Sequence, residues 1–352
     1  MKLLVATRKG LFEVDRSDDR WSVGAVHFLG DPVSLVCVDP RDGAWYAALN
    51  LGHFGVKLRR SDDRGATWEE IGVPAYPEGE DASLADCWAL VPGGADQPGR
   101  LWFGSIPGGL FRSDDRGDTW ELNRPLWDDE RRKKWFGGGA DQPGIHSILV
   151  DPRDSRRVLL AVSCGGVWST PDDGATWEVH TKGMKADFMP PERAEDPNIQ
   201  DPHQIAWCAA EPDVVWCQHH CGAWRSTDGG RTWDRIHPEP SHFGFAVAAH
   251  PSDPRTAWFV PAVKDETRVP VDGKVVVART RDGGGEFAVL RDGLPQQHAY
   301  DLTYRHALDV DATGEVLAFG STTGGLWTTD DGGDTWTALD ARLPPVYAVR
   351  FA

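Results

Sequence analysis

Short apolar runs, rich in β-branched and aromatic residues and bounded by Gly, Pro or Asp, recur along the whole chain. The stretch from 147 to 180 shows the unit. Ser147-Ile148-Leu149-Val150 precedes Asp151-Pro152, then come Val158-Leu159-Leu160-Ala161-Val162, Gly166-Val167-Trp168-Ser169 and Glu178-Val179-His180. Runs of this length and composition read as antiparallel strands joined by turns. The third and fourth are joined by an octapeptide of form Ser/Thr-x-Asp-x-Gly-x-Thr-Trp, at 170–177. It returns at 61–68, 113–120, 226–233 and 329–336, with a worn copy at 280–287 that keeps Asp282 and Gly284. A more eroded copy ends at Trp21, with Val14 where Ser or Thr belongs. A four-strand unit repeated at a spacing of about fifty residues predicts the blades of a β-propeller.

Seven copies predict seven blades, and a misread eroded copy would make the number six or eight. Pro345-Val346-Tyr347-Ala348-Val349-Arg350-Phe351 reads as a first strand with nothing after it, while Leu3–Ala6 and Gly10-Leu11-Phe12 read as second and third strands with no first. Pairing the two ends would complete one blade from 1–24 and 345–352 and remove an open sheet edge. The other blades would span about 33–73, 85–123, 145–181, 203–237, 243–291 and 299–340. Length alone would allow two domains in 352 residues, but the even repeat argues for one closed, all-β unit.

Charge and composition narrow the partners. A formal net charge of -17 argues against nucleic acid or an anionic membrane surface, which need clustered Lys and Arg. The one basic run, Arg131-Arg132-Lys133-Lys134, follows Asp128-Asp129-Glu130 and reads as a solvated mixed-charge loop. No stretch has the apolar length of a membrane span, and the run after Met1 is too short for a signal peptide. Six cysteines scattered through strand-like contexts point to reduced thiols and a cytoplasmic setting.

The octapeptide resembles the Asp-box, or bacterial neuraminidase repeat, of sialidases, two-propeller xyloglucanases, sortilin-type receptors and photosystem-II assembly factors. The chain is also similar to bacterial single-propeller proteins of the sialidase-like, glycosyl-hydrolase-like group, in phrases such as Gln200-Asp201-Pro202-His203 and Trp216-Cys217-Gln218-His219-His220. The resemblance implies a propeller fold and leaves the activity open, because propellers host many chemistries. Sialidase activity itself is not expected. The chain has no Phe/Tyr-Arg-Ile-Pro tetrapeptide, and beyond Arg8 the arginine triad and Tyr–Glu pair of that chemistry cannot be mapped.

The boxes also orient the molecule. Strand alternation puts the turns between third and fourth strands on one face, and the two-three turns and blade-to-blade connections on the other. Seven of the twelve histidines (His53, His146, His203, His219, His220, His242 and His298) fall on the face opposite the boxes. So do the long insertions at 74–86, 124–145 and 182–203, the places where a rigid scaffold builds binding walls. His146, His203 and His219 are the expected ligands of a divalent metal, zinc or manganese, with nearby Cys164 and Cys221 favouring a softer ion. His219 and His220 are adjacent, so in extended chain one ring points inward and one away; His220 is expected to be the outer one. Asp301, Tyr300, Glu266 and His306 are candidate acid–base groups. Arg8, Lys264 and Arg268, with His53 and His242, are candidates for gripping an acidic sugar or other carboxylate. Trp127 and Trp135 could stack on a sugar ring. Two functions are therefore expected to compete: a pocket for a small polar or carbohydrate ligand with metal-assisted hydrolase or lyase chemistry, and a non-catalytic binding or assembly scaffold. Oligomeric state is open in both.

Overall fold

Each box folds as a closed local circuit of hydrogen bonds. In the computed structural model, which describes residues 1–18, 20–138 and 140–352, the copy at 113–120 is typical. Ser113 Oγ donates to Asp115 Oδ1 at 2.8 Å, and the Gly117 N–H donates to Ser113 Oγ at 2.8 Å. The Thr119 N–H and Oγ1 donate to the two oxygens of Asp115, at 2.8 and 2.5 Å. Gly117 takes φ 91°, a left-handed conformation that a side chain would strain. Burial raises the Asp115 carboxyl, but the bonds from Thr119 and Ser113 outweigh it and hold the group below the usual carboxylate range. Asp63, Asp172, Asp228 and Asp331 are bound in the same way. These carboxylates are turn formers, with their oxygens already committed.

The Trp that ends the box ties neighbouring blades together. Trp120 Nε1 donates to Gly72 O at 2.9 Å, Trp177 Nε1 to Asn123 Oδ1 at 3.0 Å and Trp233 Nε1 to His180 O at 3.0 Å, each reaching the preceding blade. The largest fully buried side chains (Trp102, Trp168, Trp216, Trp224 and Trp258) fill the space between sheets. The core is thus a ring of inter-blade clusters around the axis.

Seven four-stranded antiparallel sheets result, six of them in simple sequence order. The seventh orders Val346–Phe351, Lys2–Thr7, Gly10–Ser17 and Arg20–His27, so the C-terminal strand closes the ring. Its register sets Leu3 against Phe351, Val5 against Val349 and Ala6 against Ala348, and Leu3, Leu4, Val5 and Ala6 are completely buried. Among the described residues no helix is long and apolar enough to cross a membrane, and all six cysteines are free thiols.

Three local expectations need correction. The eroded copy ending at Trp21 makes a plain hairpin, with Ser17 opposite Arg20; residue 19 lies outside the described residues. The last blade, expected to begin near 299, has Leu308–Val310 as its innermost strand. Trp127 and Trp135 are buried: Trp127 lies under the Arg132 guanidinium and donates to Glu80, while Trp135 packs edge-on against Trp168 at 5.4 Å. Neither is free to stack on a ligand.

Candidate functional site: a cup opposite the boxes

All seven blades contribute to one cavity of about 1070 Å³ on the face opposite the boxes. Its floor is made by a segment of the last blade that crosses the axis. Arg305 Nε donates to His203 O at 2.8 Å, and its guanidinium lies 4.5 Å over the Trp88 ring. The neighbouring His306 Nε2 bonds Trp88 O at 2.9 Å. These links bridge the channel from the last blade to the blades that carry Trp88 and His203, making a cup with a floor. Burial draws the Arg305 guanidinium down to about 10, which leaves it cationic at neutral pH.

On one wall, strand pairing assembles a group of three potential ligands. Asp201 directly precedes the strand Pro202–Cys208, and His203 sits in the β-bulge between Pro202 and Gln204, an irregularity of the kind that re-aims a side chain and here brings the ring beside Asp201. Pro202 pairs with His219 at the end of Glu211–His219, and the His220 N–H donates to Asp201 O at 2.9 Å. That sets the His220 ring beside the Asp201 carboxylate. Asp201 Oδ2 lies 3.7 Å from His203 Nε2 and 3.5 Å from His220 Nδ1. One ligand atom from each residue lies within 4.8 Å of the other two. Asp201 Oδ1 accepts from the Cys164 N–H at 3.2 Å and from Ser163 Oγ at 3.4 Å. His203 Nδ1 bonds Gly244 O at 2.6 Å, and its ring stacks on Phe245 at 4.5 Å. Burial raises the Asp201 carboxyl, but the two imidazoles hold it well below the usual carboxylate range. The Asp201 carboxylate in turn raises His220 above its ordinary value. This group could hold a metal ion.

Elsewhere in the cup, Asp86 has a different environment. It opens the strand Asp86–Pro92 and accepts the Cys87 N–H at 2.8 Å. Burial pushes its carboxyl up to about 6, against which bonds from Cys87, Asn50 and Ser34 are too weak. A carboxyl so raised stands close to neutrality, a property suited to proton transfer.

The cup gathers some of the expected residues and leaves others out. His203 belongs to the three-ligand group; His146 and His219 do not. His146 is completely buried with both ring nitrogens engaged, Nδ1 by Ser147 Oγ at 2.9 Å and Nε2 by Pro202 O at 2.7 Å. His219 is also completely buried, packed 4.6 Å from Trp224, with the Asp201 and Cys221 N–H groups at its two nitrogens. Burial pushes it down to about 3. The strand continues through His219, so its ring enters the blade and His220 is the one that reaches the cup.

Asp301 accepts from Ser321 Oγ at 2.7 Å and from Thr323 Oγ1, tying a turn together; neither it nor the 64% exposed Tyr300 lines the cup. His306 is in the floor. Glu266 lines the rim but pairs with Lys264 at 3.3 Å, and Arg268 pairs with Asp265. His242 lines the cup, while His53 stands outside it, tilted against Phe54 at 3.9 Å. Arg8 lines the cup and makes no ion pair among the described residues. The thiols of Cys164 and Cys221 are raised by burial, and Cys221 Sγ accepts the Asp187 N–H, which leaves them poor ligands.

Comparison with known proteins places the fold in a wider group. A family model described as Sortilin-Vps10 (sortilin, neurotensin receptor 3) matches residues 108–276. The xyloglucanase Xgh74A of Acetivibrio thermocellus is 28% identical over 152 residues, covering 38% of this chain and 16% of that enzyme. The chain thus matches only a small part of that curated relative. Among solved structures, a GH74 xyloglucanase from Xanthomonas campestris superposes with TM-score 0.66 at 19% identity, over 96% of this chain and 52% of that one. YCF48 from Cyanidioschyzon merolae superposes with TM-score 0.56 at 14% identity, over 94% and 88%. The chain is an Asp-box-type seven-bladed propeller, distantly similar to xyloglucanases. The structural likenesses speak to the fold alone.

Proposed function

We propose that the cup binds a small, hydroxyl-rich anion of the sugar-acid type and acts on it by hydrolysis or elimination, with a divalent ion polarising the bond that breaks. The observation that carries this reading is the pair of guanidinium groups, Arg8 and Arg305, that line the cavity without an ion-pair partner among the described residues. An unmatched cation facing a cavity favours a carboxylate guest through charge-assisted hydrogen bonds. The partly exposed Trp88 adds an apolar surface against which a sugar ring could pack. The distant similarity to xyloglucanases supports a carbohydrate guest. Asp86 is the proposed proton donor or acceptor.

The test is calorimetric titration of the protein with glucuronate and galacturonate, beside neutral glucose and xylose. The reading expects saturable binding of the acids, lost in Arg305→Gln. Equal affinity for neutral and acidic sugars, or no binding of either, would refute it.

A second reading, a scaffold that docks a protein segment on this face, is favoured by the exposed aromatic residues Phe54, Phe136, Phe188 and Tyr300. Under that reading, replacing His203 and His220 together would leave function unchanged.

A further inference from the structure

We infer that Asp201 Oδ2, His203 Nε2 and His220 Nδ1 are the three protein ligands of one first-row divalent cation, with a remaining coordination position open to the cup. The spacing is the first argument. Nitrogen and oxygen ligands about 2.0–2.2 Å from a tetrahedral ion lie roughly 3.4 Å from each other. The carboxylate oxygen is 3.5 and 3.7 Å from the two ring nitrogens. A direct hydrogen bond would draw these atoms to about 2.7–3.2 Å. They are held apart at a distance that fits an ion between them.

The proton positions are the second argument. His203 Nδ1 faces the Gly244 carbonyl at 2.6 Å, an acceptor, so that nitrogen carries the hydrogen. In the neutral ring Nε2 is then a bare lone pair 3.7 Å from a carboxylate oxygen, so a second ring proton or a cation has to lie between them. A ligating imidazole that gives its other N–H to a backbone carbonyl is the usual arrangement around a bound metal. The Asp201 carboxylate is oriented in the same manner. Its Oδ1 is occupied by the Cys164 N–H and Ser163 Oγ, which leaves Oδ2 for the ion.

Burial is the third. Asp201 and His203 are 2% and 3% exposed, and among the described residues no Lys or Arg is within ion-pair distance of Asp201, so beyond the two imidazoles a cation in the gap would offset its buried charge. All three residues line the cup, so a ligand could complete the coordination shell. Two imidazoles with one carboxylate suit zinc, manganese or iron(II) better than calcium or magnesium, which prefer all-oxygen sites.

The inference deepens the reading of the cup as a ligand site and rests on it for its purpose; ion binding is measured with no sugar present, so the two can fail separately. The full-length protein is stripped with chelator and dialysed against zinc, manganese or cobalt(II), and bound metal is counted. One ion per chain is expected. Asp201→Asn and His220→Gln should each weaken binding by more than about 100-fold, beyond the loss usual for an outer-shell partner, while His53→Ala leaves it unchanged. Circular dichroism of the stripped variants checks folding, and the partly exposed His220 serves if replacing Asp201 prevents it. No tightly held ion, or an ion held equally well by both variants, overturns the inference. An ion bound as described in a protein that ignores sugar acids upholds the site and refutes only the choice of guest.

Discussion

Replacing Asp86 with Asn should stabilise the protein in a pH-dependent way, and the size of the effect follows from its surroundings. The carboxyl is raised from 3.8 to about 6 because burial disfavours its charged form. At about 1.4 kcal/mol per pH unit, the ionised group costs the native state about 3 kcal/mol at most. The sign is fixed by proton counting. Between about pH 4 and 6 the native state holds the proton that the unfolded chain has lost, so the stability due to this group falls as pH rises. The penalty is complete above about pH 7, about 1 kcal/mol near pH 4.5, and gone near pH 3. Asn keeps an oxygen for the Cys87 N–H and removes the charge. An unfolding entropy of about 2.1 cal/mol/K per residue over 352 residues makes 3 kcal/mol equivalent to about 4 °C in Tm. Scanning calorimetry at pH 8 should therefore show Asp86→Asn melting up to about 4 °C above wild type, shrinking to about 1 °C at pH 4.5. An equal or lower Tm at pH 8, or a gap that widens on acidification, would refute the reasoning. A stabilising change that also removes activity would mark Asp86 as a group kept for chemistry.

Two further outcomes concern the scaffold. Asp228→Ala removes the acceptor of Ser226 Oγ and of the Thr232 N–H and Oγ1; it should cost about 1–3 kcal/mol, seen as a Tm lower by about 1–4 °C with ligand and metal affinity unchanged. A loss of metal binding in that variant would contradict the purely structural role given to the boxes. Removing 346–352 strips the partner from Lys2–Thr7 and exposes Leu3 and Val5, so the truncated chain should aggregate or lose its cooperative melt; an unchanged melting curve would contradict closure by the C-terminal strand.

The fold was legible because one octapeptide both forms a turn and marks a blade. Its Asp, Gly and Trp each do a local job that the sequence displays, and their spacing carries the ring. The face bearing the cup followed from strand alternation alone. The ligand group was legible only in part. Asp201 stands before Pro202 and reads as turn punctuation, and it is a bulge at His203, which the sequence does not display, that brings the two side chains together. His219 and His220 differ only in where the strand Glu211–His219 stops, and a shift of one residue exchanges the inner and outer rings. Asp86, Trp88 and Arg305 gain their roles from contacts across the channel, between residues far apart in sequence, which no local pattern announces. Lys264, Glu266, Arg268 and Asp265 show the converse: charges that look available in sequence neutralise each other in space.

What the cup does turns on the proposed ion between Asp201, His203 and His220. Anomalous diffraction from crystals grown with zinc tests it most directly. One strong peak per chain is expected, about 2.0–2.2 Å from Asp201 Oδ2, His203 Nε2 and His220 Nδ1, facing the cavity. A cup with no peak, or a peak held by other residues while these three side chains bond directly to each other, would contradict it.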